Sequence, residues 1–564
     1  MGEKHKKKHH KHHRTMEADI IVIGGGAAGC IVMNRLSEKG RFTVLGIEAG
    51  ANLTSDPAIE AVGLPAFLLA GTSQYKYFWQ GWKQTVPMEG LNGRTSDWTT
   101  GMLLGGGSAI NGLYYGRGSN AVYSRWEEIS ESSNWSLDQI LATFNALETY
   151  EGLTITPDAR GTNGAVNILQ TPTVSQMTLD VILPASQAAF PDLPVVTDYN
   201  DPSVENCIDT RAQWFIDPSG SKRVSSATAF LNSDVMTPEG HGVNGHTLEI
   251  SFESVVTKII FNKSGKAKKV QFIKDGKLLE ARARKAVVLA GGFNNSKILQ
   301  LSGIGPSVAL QNAGIKPIFI NENVGKHLQN HPTIYITLLA NPNDDGIPPG
   351  APYAFQINNV YLPVVNGQAS DPRMLQMLFE FVPKGTLGAP FSLLVIGFNL
   401  LNPKSEGSVT IQSNNTFQIA AVDDGFYKNP IDLENMKNVI KVYIKDLLAQ
   451  FALMNPNTLF YRPILTDPIN LVSLFNYSDD VVESYVKNNT NLSLDIHHFV
   501  SHCKMASFAN GGVVDGETRV YGTKNVYVTD NSICPVIPDI NTTGSAMMIG
   551  LRSSEILKNV LGRR

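Results

Sequence analysis

The sequence predicts an α/β protein with two parts: a doubly wound parallel sheet, and a second α+β unit built on an antiparallel sheet. Three observations carry this. The chain opens on a β-α-β pattern. A long middle block changes to alternating strand-like runs, and the end returns to strand, loop and helix. In the opening unit the apolar run Asp19-Ile20-Ile21-Val22-Ile23 leads directly into Gly24-Gly25-Gly26-Ala27-Ala28-Gly29. Residues 30–39 then carry apolar positions at helical spacing and stop at Gly40, and 42–47 form a second strand ending in Glu48. Strands are predicted over 246–261 and 278–289, followed by a helix over 294–301 that ends at Ser302-Gly303-Ile304-Gly305-Pro306. In the block 332–500, runs at 373–381, 392–400 and 407–411 read as strands and 433–454 as a helix. A strand at 526–529 and a helix over 546–561 close the chain, and no repeat of solenoid length is present.

With 564 residues, 42% hydrophobic and 17% charged, the chain is long enough for more than one buried core. The formal net charge of −3 gives its body no global attraction to nucleic acid. The four cysteines, Cys30, Cys207, Cys503 and Cys534, are too scattered for a disulfide framework or a CxxC site, and no metal site is expected. There is no apolar stretch of membrane-spanning length and no apolar signal core, so an intracellular location is the expectation. The Asn-x-Ser/Thr sequons, among them Asn52, Asn134, Asn476 and Asn541, are read as chance. Residues 1–16 form a tail of Lys, His and Arg, read as a disordered arm and set outside the fold. Any nucleic-acid contact would come from that tail, and its histidines could bind a transition metal weakly.

The run Gly24-x-Gly26-x-x-Gly29 is a weak signal alone, but here it follows a strand and opens a helix. The acidic Glu48 comes 19 residues after Gly29. Gly24 permits the tight turn, Gly26 lets backbone N–H groups approach a pyrophosphate, and Gly29 allows close helix–strand packing. The helix N-terminus favours the negative charge. Glu48 would accept hydrogen bonds from the adenosine ribose hydroxyls and would repel a 2′-phosphate, which counts against NADP. These residues point to a Rossmann-like dinucleotide site and leave NAD and FAD open.

A second glycine-rich passage makes the choice. Gly101-Met102-Leu103-Leu104-Gly105-Gly106-Gly107-Ser108-Ala109-Ile110-Asn111-Gly112, continued by Tyr115-Gly116-Arg117-Gly118, resembles the first signature of the glucose–methanol–choline (GMC) oxidoreductases. Such a loop lets backbone lie against a flat ring system and a diphosphate where side chains would clash. Met102 departs from the Arg or Lys usual there. The resemblance implies FAD, held by Gly24, Gly26, Ala27, Ala28, Gly29, Glu48, Ala49, Gly105, Gly107, Ser108, Asn111, Gly112, Leu113, Val256, Asp530, Asn541 and Thr542. Relatives with histidine-linked flavin carry His beside this Asn; Ile110 stands there, so non-covalent FAD is expected.

Further matches run along the chain. Ser221–Leu231 resembles the family's Arg-x-Ser-Ser-x-x-x-Phe/Tyr-Leu segment, and Val256 falls where main-chain atoms read the adenine edge. Residues 290–305 resemble the second signature, with Asn295 off-pattern. Residues 323–332 resemble Gly-x-x-Leu-x-Asp-His-Pro, with Asn330 replacing Asp; His331 there is read as structural. His497-His498-Phe499-Val500-Ser501-His502-Cys503-Lys504-Met505 is similar to the family's Tyr-His-Pro-x-Gly-Thr-Cys-x-Met, which places the catalytic histidine on His498. His497 and His502 are lesser candidates. Asn541 falls on a position that is His or Asn in the family and would hold the substrate oxygen, and Asp530 would cap flavin-side groups.

The resemblance thus implies oxidation of a small-molecule alcohol to an aldehyde or ketone, with His498 taking the hydroxyl proton as hydride passes to flavin N5. Oxygen or another acceptor would take the electrons. An FAD-binding unit is expected over 17–331 and 501–564, with loop-rich insertions near 50–100 and 120–210, and a substrate unit over 332–500. Aryl, sugar, choline-like and aliphatic alcohols all stay open, with the Phe, Leu and Val of the block leaning toward an aryl or aliphatic one. Two other readings stay beside this one. Hydroxynitrile lyases resemble the family and hold FAD without its redox chemistry. Some giant-virus particles contain GMC-like proteins, so a structural or packaging role in a virion is the non-enzymatic alternative. Oligomeric state is left open, a dimer included.

Overall fold

The structure is a computed structural model, and it describes residues 16–62, 77–79, 86–95, 100–175, 177–340, 356–382, 393–454, 459–460, 478–489 and 497–562. The basic tail up to residue 15, with Trp82 and Trp98, lies outside the described residues. In the first sheet the strand Met16–Ile23 is central. It pairs in parallel with Val44–Ile47 on one side and with Lys277–Leu289 on the other. Val44–Ile47 pairs in parallel with Leu248–Ser251, and Val526–Val528 joins Lys277–Leu289 in parallel near its end. Ile20 to Ile23 are buried on both faces of the sheet, which explains why this strand reads as a continuous apolar run without alternation. The helix Ala27–Ser37 covers one face through Cys30, Ile31, Met33 and Leu36. The last helix, Thr543–Gly562, packs on it so closely that a Cβ at Gly550 would lie 2.8 Å from the Ala28 Cα.

Two strand readings change. The single strand expected over 246–261 is divided into Leu248–Ser251 and Ser254–Phe261 because Glu253 turns through φ +54°. The strand Ala267–Lys274, absent from the sequence reading, pairs antiparallel with both Ser254–Phe261 and Lys277–Leu289. Its signal was present in Asp275-Gly276, both at positive φ (49° and 67°), the residue pair that a two-residue type I′ hairpin turn favours.

The second sheet runs in the order Leu459–Phe460, Thr333–Ala340, Leu393–Leu400, Leu375–Val382, Gln356–Leu362, Cys207–Asp209, Val195–Val196. It is antiparallel except for the last pair, and its membership reaches back to residues well before 332. One face is apolar: Ile334, Ile336, Met377, Phe379, Ile396 and Phe398 pack against Met436, Ile440, Leu447 and Phe451. Those last four lie on a helical run from Pro430 to Met454 that passes through a π-helical stretch at Val439–Ile444. The other face carries a buried polar ladder. Thr333 donates to Asn399 (2.8 Å), Asn399 to Gln376 (2.9 Å), Gln376 to Asn359 (3.0 Å) and Asn359 to Asp209 (3.3 Å). Phe379, Phe398, Leu338 and Leu394 of this sheet therefore face the helices, and the apolar composition of the block says little about the polar side.

A buried ion network fixes the segment between the sheets. Glu148 accepts from Arg117 (2.5 Å) and Arg160 (2.8 Å), and Arg160 reaches Asp198 (2.8 Å). Burial alone would raise the Glu148 carboxyl, but the two guanidinium groups outweigh it and hold it at about 2.

Candidate cofactor and active site

Three glycine loops meet at the C-terminal ends of the parallel strands. The Gly105 N–H donates to the Gly25 carbonyl (2.7 Å), and a Cβ at Gly106 would stand 2.9 Å from the Gly26 Cα. A Cβ at Gly24 would meet the Ala290 carbonyl at 2.6 Å, so the loop at 290–292 closes the third side. Gly29 is needed because a Cβ there would lie 2.1 Å from the Gly24 carbonyl oxygen. Gly26, by contrast, is not crowded: the nearest atom to a Cβ there would be the Ala290 carbonyl oxygen, at an ordinary contact distance of 3.8 Å. The helix Ala27–Ser37 begins at Gly26 with no side-chain cap, so its first N–H groups are offered to a ligand anion. Ala27 and Ala49 are partly exposed at this cradle, whereas the Ala28 side chain is buried against the last helix.

Glu48 ends the strand Val44–Ile47 and is buried. Its carboxylate accepts from the Gly25 N–H (2.6 Å) and the Gly50 N–H (2.7 Å), and its carbonyl accepts from Ser254 N. Burial pushes this carboxyl up to about 7, against the opposing pull of the backbone donors of Gly50 and Gly25. Val256, two residues beyond Ser254, lies in the adjoining strand.

At the other end, Ser108 donates to the Gly105 carbonyl and accepts from Ser226 N. Gly107 and Gly112 are exposed on the loop, and Leu113 turns through φ +69°. The Asn111 amide links three elements. Its oxygen accepts from Leu113 N (3.0 Å) and Arg223 Nη1 (2.6 Å), and its nitrogen donates to Thr543 Oγ1 (3.0 Å). Thr542 precedes the last helix and its carbonyl accepts from Ala546 N. Asp530 accepts from Gly292 N (2.7 Å) and from Asn295 Nδ2 (2.8 Å), so the off-pattern Asn295 is used to hold the third glycine loop. Its own oxygen takes the Gly291 N–H at 2.9 Å.

The histidines sort clearly. His502 is buried, bonds Ser296 Oγ (3.0 Å) and stands edge-on to Phe293, a packing role that removes it from the catalytic candidates. Burial pulls its imidazole down to about 3. His497 lies against Phe499, and its Nε2 is buried with no partner. His498 and His331 contact each other through their Nδ1 atoms at 2.8 Å with rings nearly perpendicular. One acceptor, Asn330 Oδ1, takes both backbone N–H groups, from His331 (2.9 Å) and His498 (3.1 Å). Burial, then the neighbouring His331 and His497, hold the His498 imidazole well below its usual value, so it is neutral at working pH. The loop carrying Asn541 closes on this pair: Ile537 N donates to Gln329 Oε1 (3.0 Å), and the Pro538 carbonyl reaches His331. Asn541 Oδ1 is buried without a hydrogen-bond partner.

Fold and site together define a flavoprotein: a dinucleotide cradle of backbone and helix N-terminus, continued toward a neutral histidine and an unpartnered amide oxygen. Family models for GMC oxidoreductases match residues 18–333 and 403–550, and the chain belongs to that family, whose cofactor is FAD. It is 27% identical to an oxygen-dependent choline dehydrogenase of Brucella anthropi, over 97% of this chain and 96% of that protein. It is also 27% identical to a pyranose dehydrogenase of Agaricus campestris, over 93% and 90%. Among solved structures, pyridoxine 4-oxidase from Mesorbium loti superposes with a TM-score of 0.78 at 23% identity, covering 95% of this chain and 98% of that one. A formate oxidase from Aspergillus oryzae superposes with 0.80 at 22%, covering 97% and 99%. These two likenesses establish the fold.

The sequence reading missed two residues. Arg223 is buried, has no carboxylate partner among the described residues, and donates to the Ile59 carbonyl and to Asn111; burial lowers it to about 9. It lies inside the segment 221–231, but nothing local in sequence marks a guanidinium as unpaired. His331, expected from the sequence to be structural, contacts His498, a pairing visible only in three dimensions. No helix among the described residues is long and apolar enough to cross a membrane, and no metal-holding cluster occurs among them.

Ser501 replaces the family's glycine and takes φ +70°, with its hydroxyl buried and unpartnered. Ser501→Gly is expected to raise unfolding stability by about 1 kcal/mol, by relieving a left-handed backbone and an unsatisfied polar group. Denaturant unfolding followed by fluorescence measures it; a destabilised variant would contradict the strain assigned to this turn.

Proposed function

We propose that this oxidoreductase converts a small-molecule alcohol to an aldehyde or ketone, with His498 as the base. Bound FAD would supply the hydride acceptor, held non-covalently because the position beside Asn111 is Ile110, packed among Ile59, Tyr77, Phe78 and Leu103. His498 would take the hydroxyl proton, and Asn541 would hold the substrate oxygen beside it. The observation that supports this most is the neutral His498 imidazole beside the loop that carries Asn541, whose side-chain oxygen is buried and unpartnered. The GMC family membership supports it as well. The names of the relatives span choline and pyranose dehydrogenases, so the alcohol is chosen outside the shared frame.

The test is the visible spectrum of purified protein titrated with a panel of choline-like, sugar, aryl and aliphatic alcohols without oxygen. At least one is expected to bleach the flavin bands, and acid denaturation is expected to free all of the flavin. Flavin that no alcohol reduces would remove the alcohol reading while leaving the cofactor in place. Readmitting oxygen then separates an oxidase, which recovers its colour, from a dehydrogenase that needs another acceptor.

A further inference from the structure

We infer that His331 is a positioning residue that fixes the tautomer of His498, so that the base presents a free Nε2 to the substrate. The inference rests on the alcohol-oxidation reading for its chemical purpose, but its structural content stands on a directional chain of hydrogen bonds. That chain starts at a carbonyl. His331 Nε2 lies 3.1 Å from the Leu401 oxygen. A carbonyl only accepts, so His331 carries its proton on Nε2. In a neutral imidazole the other nitrogen must then be an acceptor. His331 Nδ1 contacts His498 Nδ1 at 2.8 Å, so His498 is the donor and carries its proton on Nδ1. The lone pair of His498 is therefore on Nε2, which has no hydrogen-bond partner among the described residues.

The alternatives fail on the same geometry. With the proton between the rings belonging to His331, its Nε2 would either face the Leu401 carbonyl as a lone pair or bear a second proton. The first places like partial charges together, and the second makes a buried imidazolium. Burial, the largest influence on His331, pulls it down to about 3, against the two carbonyls that raise it. Flipping the His331 ring would put carbon at both contacts and lose both bonds. The titratable groups facing His498 are His331 and His497, and neither brings a negative charge that would favour a cation. Asn330 fits this logic, since its neutral oxygen holds both backbones, whereas a carboxylate at that position would stabilise a charged pair.

The contact also accounts for the rotamer of His498. Donation from Nδ1 to a fixed acceptor turns the ring so that Nε2 points away from His331. Without that acceptor the ring could rotate, and both neutral tautomers would be populated, only one of which is a base at the right place.

The experiment reads nitrogen resonances of imidazole-labelled, flavin-loaded protein near neutral pH, with His498→Gln and His331→Asn used to assign the two rings. The expected result is protonated Nδ1 and bare Nε2 on His498, with the reverse on His331. In His331→Leu the two His498 tautomers should mix. The anaerobic rate of flavin reduction should fall about tenfold, with flavin content and substrate affinity unchanged. His331→Asn, whose Oδ1 can stand where Nδ1 stood, should restore most of both properties. A protonated Nε2 on His498 in the parent protein would overturn the inference, as would a His331→Leu variant that slows without any change of tautomer. If no alcohol reduces the parent flavin, the proposed reaction falls, while the resonances still decide the tautomer.

Discussion

His498→Ala is expected to keep its flavin and lose about a hundred- to ten-thousandfold in the anaerobic rate of flavin reduction by a good alcohol substrate. The size follows from what the ring supplies. Beside it, His331 is not a second base, because it spends both nitrogens on Leu401 and His498. His497 carries an unpartnered Nε2, with its imidazole pulled down to about 4 by burial, and is the alternative base that a double variant tests. The alanine removes a side chain at the pocket and leaves the glycine loops intact, so the flavin spectrum should match the parent's. Stopped-flow reduction measures the rate. Undiminished reduction in the variant would disprove the base assignment, and a residual rate removed by also changing His497 would move part of the role there.

Glu48→Ala is expected to weaken FAD binding by about a hundredfold, because the carboxylate holds two backbone donors and would also take the ribose hydroxyls. The same group makes binding depend on pH. In the ligand-free chain its pKa is raised from 4.5 to about 7, so between those values the folded chain holds a proton that the unfolded chain has released. Its contribution to stability therefore falls as pH rises through that window, by about 3 kcal/mol in all. Ribose hydroxyls donate to the carboxylate and favour the ionised form, so FAD affinity should be greatest above pH 7 and should weaken as pH falls through it. Titration of flavin fluorescence on either side of neutrality measures this for the parent and for Glu48→Gln, which should lose the dependence. A parent affinity that is flat across the range would separate Glu48 from the ribose.

The parts of the site that were legible in the sequence are those whose chemistry is local. Gly24, Gly26 and Gly29 are spaced by the turn they make, and Glu48 by the length of one helix and one strand. The contacts that set that spacing, Gly29 against the Gly24 carbonyl and Glu48 on the Gly25 N–H, lie within one β-α-β unit. His498 was legible only through its resemblance to a family motif, since a lone histidine carries no signal of its own. The rest depends on contacts between distant residues. His331 meets His498 across 167 positions and Arg223 meets Asn111 across 112, and no periodicity encodes either pair. Asn295 and Ser501 read simply as departures. The fold shows the first to be a working substitution, with three polar contacts, and the second to be a strained one. The strand Ala267–Lys274 was missed because its lysines mask a partial alternation, with Val270 and Phe272 buried between more exposed neighbours.

The FAD cradle joins the first strand, Met16–Ile23, to the last helix, Thr543–Gly562, with Val526–Val528 completing the sheet beside them. A ribosome delivers those pieces in order, so the amino-terminal glycine loop emerges long before the helix that backs it. Until residue 550 has left the exit tunnel, the helix Ala27–Ser37 lacks the surface against which Ala28 is buried. The packing of the first loop is therefore completed only at the end of translation. A chain cut short by its last two dozen residues is expected to retain nearly every glycine of the site and to lose flavin, because the helix that backs the first loop is gone.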